Sequence, residues 1–194
     1  GEGQLHADVR AAWEAMRRSY GDAAPQREVI VGNSLGTALA ARLAAEEQPE
    51  QLVLIAPYTS MKALAAEHYP WVPRAVLRYP LATEDWIGRV RAPILLAHGG
   101  RDTLIEPDHS RRLQQLAPHA QLLLVPEARH HDLQAFPEYR DALWAAVRGR
   151  GARGRALSPA AAGRSAGRRR ARGTAWSAGP SRAAGRPCAA PADG

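Results

Sequence analysis

The chain has 194 residues with 26 Lys and Arg against 19 Asp and Glu, a net charge of +7, seven histidines and a single cysteine. With Cys188 alone, an intrachain disulfide and a multi-thiolate metal site are both excluded. The basic excess is local: ten arginines and one acid lie between Arg150 and Asp193, which leaves 16 bases against 18 acids over residues 1–148.

That asymmetry divides the chain into a domain over 1–148 and a tail over 149–194. The tail is Ala, Gly, Arg, Pro and Ser with almost no aliphatic side chains. It has too little apolar surface to offset the entropy lost on ordering, so it is expected to be disordered. The high pI therefore describes a tail and not a nucleic-acid-binding domain, and no specific nucleic-acid partner is expected. No apolar run approaches the roughly 20 residues that span a bilayer. A cytoplasmic location is the expectation, with membrane association only through a segment preceding residue 1.

In chain order, Leu5, Val9, Trp13, Met16 and Tyr20 recur at steps of three and four, an amphipathic helix that ends near Gly21. "EVIV" (28–31) reads as a short strand, "GNSLG" (32–36) as a turn, and Thr37 to Glu47 as a helix. "QLVLIA" (51–56) is the next strand and "APILLAHG" (92–99) the third, followed by a helix from Asp108 to Leu116. "AQLLLVP" (120–126) is the fourth strand, and a last helix runs from Pro137 to Arg148. The strands are continuous apolar runs, the pattern of strands covered by helices on both faces. Strands alternating with helices predict a parallel sheet in an α/β fold.

Open parallel sheets collect their functional groups at the carboxyl ends of the strands. Ser34 follows the first strand, Asp102 the third, just beyond Gly99-Gly100, and His130 the fourth, within "PEARHHD". A serine, an acid and a histidine thus fall on one edge of one sheet. Their chain order is that of a nucleophile elbow followed by its acid and its base. A hydroxyl is a weak nucleophile, so the chemistry needs His130 to take its proton and Asp102 to orient the imidazole. The backbone N–H of Leu35, at the start of the next helix, is the candidate oxyanion donor. His131 is the rival base and Asp108 the rival acid, the latter better read as a helix N-cap. Asp132 is expected to brace the histidine loop and His98 to be structural. Nothing suggests a cofactor or a metal site.

"GNSLGTALAARLAAE", "PEQLVLIAPYTSMKALAAEHYPWVP", "APILLAHGGRDTLIEPDHSRRL" and "HHDL" resemble the C-terminal two-thirds of α/β hydrolases. The subgroup they resemble is that of serine-aminopeptidase-like and membrane-associated hydrolase-domain proteins. The resemblance covers about residues 3–147. It implies a partial α/β-hydrolase fold: the four strands above are the last four of a mostly parallel, eight-stranded sheet, and the strands before them are absent.

It also implies Ser34 as nucleophile, Asp102 and His130 as its partners, and a small-molecule, acyl or peptidyl substrate cleaved at an ester, thioester or amide. The alternative is an impaired fragment acting as a binding module. Residues 58–90 would form a small cap, in which Tyr58, Tyr69, Trp71 and Val72 either make an apolar wall or, the favoured reading for any single one, pack the cap onto the sheet. Strand 28–31, lacking its neighbour, would have an open edge through which copies self-associate.

Overall fold

The computed structural model describes residues 1–21, 23, 27–71 and 79–149. The arginine-rich tail, apart from Gly149, and Val72 of the expected cap wall lie outside the described residues.

Helix α1 (Glu2–Ser19) is followed by strand β1 (Val29–Asn33), helix α2 (Gly36–Glu47) and strand β2 (Gln51–Ile55). The segment expected to form a cap contains helices α3 (Met61–His68) and α4 (Glu84–Ile87). Strand β3 (Ile94–Gly99), helix α5 (Asp108–Leu116), strand β4 (Gln121–Val125), a 3₁₀ turn (Leu133–Ala135) and helix α6 (Pro137–Val147) complete the domain. The strands form one four-stranded sheet in the order β1-β2-β3-β4. All pairings are parallel, with Val31 beside Val53, Val53 beside Leu95 and Leu95 beside Gln121.

The absence of polar alternation in the strands is explained by cover on both faces. Leu52 and Leu54 of β2 point to one side, into a core with Trp13 of α1, Ala41 and Ala44 of α2, Ile87 of α4 and Leu113 of α5. Val53 points the other way, toward Leu95 and the side chains of α6. Val125, Ala97 and Tyr139 continue that second core. Side chains alternate across a strand, so a strand buried on both faces is apolar at every position.

Two close approaches fix the loops at the carboxyl edge. A Cβ on Gly32 would stand 2.6 Å from the Cβ of Ala40, so α2 lies directly on the end of β1 only because residue 32 has no side chain. A Cβ on Gly99 would stand 2.5 Å from the carbonyl oxygen of Ala128, and one on Gly100 would stand 2.7 Å from that of Pro126. The end of β3 is thereby pressed against the loop after β4. Arg101 N–H donates to Ala128 O at 2.8 Å and Gly100 N–H to Val125 O at 2.7 Å.

One detail departs from the sequence reading. Asp108 is not a capping residue: α5 begins at Asp108 after Pro107, no side chain caps it, and the Asp108 carboxylate takes Arg111 instead at 2.5 Å. Of the two glycines of "GNSLG", Gly36 is uncrowded, since a Cβ on it would meet nothing within 4 Å. Tyr58 packs inward and forms no open wall. It is 1% exposed, packed with Ala38, Leu81 and Ile105, and its hydroxyl donates to Leu35 O at 3.1 Å. Burial, with Glu2 nearby, raises its pKa and keeps the phenol a donor. Tyr69 and Trp71 are exposed and meet edge to face, their ring centroids 5.8 Å apart.

Candidate active site

Ser34 sits in the turn between β1 and α2 with φ at +49°, the left-handed region that side-chain-bearing residues rarely enter. The conformation costs on the order of 1–3 kcal/mol. Local bonds hold it: Ser34 N–H donates to Ile55 O at 2.8 Å, and Ser34 O accepts from Thr37 N–H at 3.0 Å and from Thr37 Oγ1 at 2.7 Å. The turn leaves the Ser34 hydroxyl at the carboxyl edge of the sheet, at the amino end of α2.

His130 reaches that hydroxyl from the loop after β4. Its Nε2 lies 3.0 Å from Ser34 Oγ, and its Nδ1 lies 2.7 Å from Asp102 Oδ2. An ionised carboxylate only accepts, so Nδ1 carries the proton and Nε2 presents its lone pair to the hydroxyl. Asp132 Oδ1 accepts from Arg129 N–H at 2.6 Å, closing the loop that carries the imidazole. The structure thus brings together Ser34, His130 and Asp102, three groups that lie far apart in sequence. The Ser34 hydroxyl meets His130 and not His131, whose ring stands at a right angle to that of His130 with centroids 4.8 Å apart.

Asp102 is held from three sides. Its Oδ1 accepts from the N–H groups of Leu104 and Ile105, both at 2.9 Å. Its Oδ2 faces His130 and lies 3.3 Å from His98 Nε2. Burial pushes the carboxyl pKa up, but hydrogen bonding from His98, from Ile105 N–H and from His130 outweighs it and lowers the pKa to about 2. The carboxylate is therefore ionised throughout the neutral range.

The acid loop is also fastened to α3. His68 Nε2 lies 2.8 Å from Leu104 O and donates to it. Glu67, one residue earlier, takes His109 Nε2 at 2.8 Å, and His109 Nδ1 accepts from Thr59 N–H at 3.2 Å. Helix α3 is capped by Ser60, whose Oγ accepts from Ala63 N–H at 3.3 Å. Sequence reasoning placed no helix there and assigned no role to Glu67, His68 or His109; the Ser60 cap was the available signal.

A cavity of about 340 Å³ opens beside Ser34, lined by Asn33, Ile55, His130, His131, Gln134 and Tyr139 among others. Leu35 N–H, next to the hydroxyl, makes no backbone hydrogen bond among the described residues. No group of three or more His, Cys, Asp or Glu suited to a metal ion occurs among the described residues. No described helix is long and apolar enough to cross a membrane.

No protein-family model matches the chain. An uncharacterised protein of Mycobacterium tuberculosis is 38% identical over 130 residues, 66% of this chain and 46% of that protein. The human alpha/beta hydrolase domain-containing protein 17C is 29% identical over 143 residues, 73% of this chain and 42% of that protein. The chain therefore spans less than half the length of these relatives. Among solved structures, the esterase Pf2001 of Pyrococcus furiosus superposes with a TM-score of 0.59 at 19% identity, over 75% of this chain and 61% of the esterase. The acylaminoacyl peptidase of Pyrococcus horikoshii does so with a TM-score of 0.60 at 13% identity, over 73% of this chain and 28% of the peptidase. The chain is thus similar in sequence to an alpha/beta hydrolase domain-containing protein and shares the parallel-sheet fold of these esterase and peptidase structures.

Proposed function

We propose that the chain carries the body of a serine hydrolase that cleaves a carboxylic ester, thioester or amide through an acyl-enzyme intermediate. The observation that carries this reading is the Ser34–His130–Asp102 relay on a strained turn, with successive contacts of 3.0 and 2.7 Å. In the first half-reaction Ser34 Oγ bonds to the carbonyl carbon while its proton passes to His130 Nε2. Asp102 stabilises the imidazolium so formed without taking its proton. Leu35 N–H donates to the oxygen that becomes negative. Collapse of the tetrahedral species breaks the bond to the leaving group, which takes the proton from His130 and departs. Water then repeats the sequence: His130 takes its proton, its oxygen attacks the acyl carbon, and Ser34 leaves with the proton returned to Oγ.

A second reading, a binding module without turnover, draws on a specific observation. β1 is an edge strand among the described residues, so one flank of Ser34 has no neighbouring strand and Leu35 is the one backbone donor assigned to the oxyanion. Loss of a single such donor lowers a rate about 100- to 1000-fold.

A fluorophosphonate probe applied to the purified chain separates the readings. Labelling that disappears in Ser34→Ala and in His130→Ala supports the hydrolase. No labelling of the wild-type chain, or equal labelling of Ser34→Ala, overturns it in favour of the second reading.

A further inference from the structure

We propose that His98 is a positioning residue: an N–H donor, oriented by the Ile105 carbonyl and by Ser110, that steadies the charge on Asp102 and so sets the pH range in which His130 can accept a proton. The inference rests on the reading of Ser34, His130 and Asp102 given above.

His98 closes β3 and is 0% exposed, as is Ser110 in the first turn of α5. Its Nε2 lies 2.8 Å from the carbonyl oxygen of Ile105. A carbonyl only accepts, so Nε2 carries the proton. Nδ1 lies 2.7 Å from the Ser110 hydroxyl, which can donate to it or accept from it. The carbonyl partner thus fixes a proton on Nε2, while the Ser110 hydroxyl fastens the other edge of the ring.

The same N–H edge faces Asp102 Oδ2 at 3.3 Å, and that oxygen also receives His130 Nδ1. Two imidazoles, one buried and one at the surface of the site, therefore converge on one carboxylate oxygen. Ile105 ties them together, since its N–H donates to Asp102 Oδ1 while its carbonyl accepts from His98. The neighbouring charges are accounted for. Arg101 pairs with Glu127 at 2.5 Å on the exposed side of the loop, and the His131 ring packs at a right angle to that of His130. Among the described residues no Lys or Arg side chain pairs with Asp102, so histidine and backbone dipoles alone stabilise its charge.

The consequence has a definite sign. A donor on Oδ2 draws part of the carboxylate's charge away from His130. Without it the carboxylate favours the imidazolium more strongly, and His130 protonates at higher pH. The base would then be blocked at a pH where the wild-type chain still works. A residue that merely filled space would not have this effect.

The test is an NMR titration of the His130 Cε1–Hε1 resonance in the full chain, with wild type, His98→Leu and His98→Gln compared. Leu removes the donor, whereas the Gln amide places an N–H where the ring Nε2 stood. The His98→Leu midpoint is expected to rise by about half a unit or more, roughly a threefold increase in imidazolium at a given pH above the midpoint, while His98→Gln stays near wild type. An unmoved midpoint in a folded His98→Leu protein, or a Gln variant that behaves like Leu, overturns the proposal. Imidazole ¹⁵N shifts of the wild-type chain test it without any variant. They should report a proton on His98 Nε2, and a ring protonated only at Nδ1 overturns it. The outcomes remain separable: a shifted midpoint with no probe labelling retires the hydrolase and keeps the His98 role, whereas labelling with an unmoved midpoint does the reverse.

Discussion

The Cα of Gly32 points at Ala40: a Cβ built on it would lie 2.6 Å from the Ala40 Cβ, and 2.9 Å from the Cα of Thr37. Contacts under 3 Å with backbone force the helix to move, and here the helix is the one that begins beside Ser34. Gly32→Ala is expected to lower stability by roughly 1–3 kcal/mol and to reduce phosphonate labelling as well. Gly36→Ala is the contrasting case. It adds a methyl to open space in the first turn of α2, where Ala is favoured over Gly by up to about 1 kcal/mol. Equilibrium denaturation of both variants checks this. Equal losses in the two would mean that the turn is constrained as a unit and not by one close approach.

Ser34 itself is the next position where stability and chemistry part. Its φ of +49° is unfavourable for any side chain except the absent one of glycine. Ser34→Gly is therefore expected to be more stable than Ser34→Ala by about 1 kcal/mol, a difference of roughly 2–4 °C in melting temperature for a domain of this size. Both variants should lose labelling completely. Calorimetry on the pair decides the matter, and an Ala variant as stable as the Gly variant would mean that the backbone relaxes once the hydroxyl is gone.

The placement of Ser34, Asp102 and His130 was legible because each follows a continuous apolar run that reads as a strand of one parallel sheet. "QLVLI" and "ILLAHG" are buried along nearly their whole length, as such runs demand. What stayed hidden depends on contacts that no local pattern encodes. His98 looked like an ordinary strand end, because its importance lies in Ser110, twelve positions later, and in the carboxylate between them. Helix α3 is short and shows no clear apolar stripe, and Tyr58 turned inward because Ala38, Leu81 and Ile105 form a pocket around it. The spacing of "GNSLG" does not distinguish its two glycines, whereas the helix lying on Gly32 crowds that one alone.

The depressed pKa of Asp102 has a consequence for folding. The value falls from 3.8 to about 2 because the folded state favours the ionised carboxyl. Stability from such a group is fully present above the unfolded pKa and is lost as pH falls through the folded one. The window is therefore from about pH 4 down to about pH 2, and the loss across it is on the order of 2 kcal/mol. Asp102→Asn should show a lower stability at neutral pH and a flatter dependence in that window. Urea midpoints measured across it in both proteins check the sign; parallel curves would mean that other carboxylates dominate acid unfolding.

The last expectation concerns the outer edge of β1. Among the described residues β1 pairs only with β2, so its other row of N–H and C=O groups meets no strand. Val31, in the middle of that edge strand, is 50% exposed, whereas Ile30 beside it is buried. An unpaired, apolar edge is a template for another strand, and proteins commonly blunt it with charge, proline or a bulge. No such device is present between Val29 and Asn33. Arg17 and Glu50 are both engaged with Glu28, at 2.8 and 2.7 Å, and so guard only the beginning of the strand. The isolated chain is therefore expected to self-associate at micromolar concentration through β1 of a second copy. Val31→Lys should shift it toward monomer without lowering the unfolding midpoint, because the added charge lies on an exposed position. Sedimentation velocity on both proteins gives the result directly. A wild-type chain that stays monomeric, with slow amide exchange at Val29 and Val31, would show that the edge is already covered within one copy.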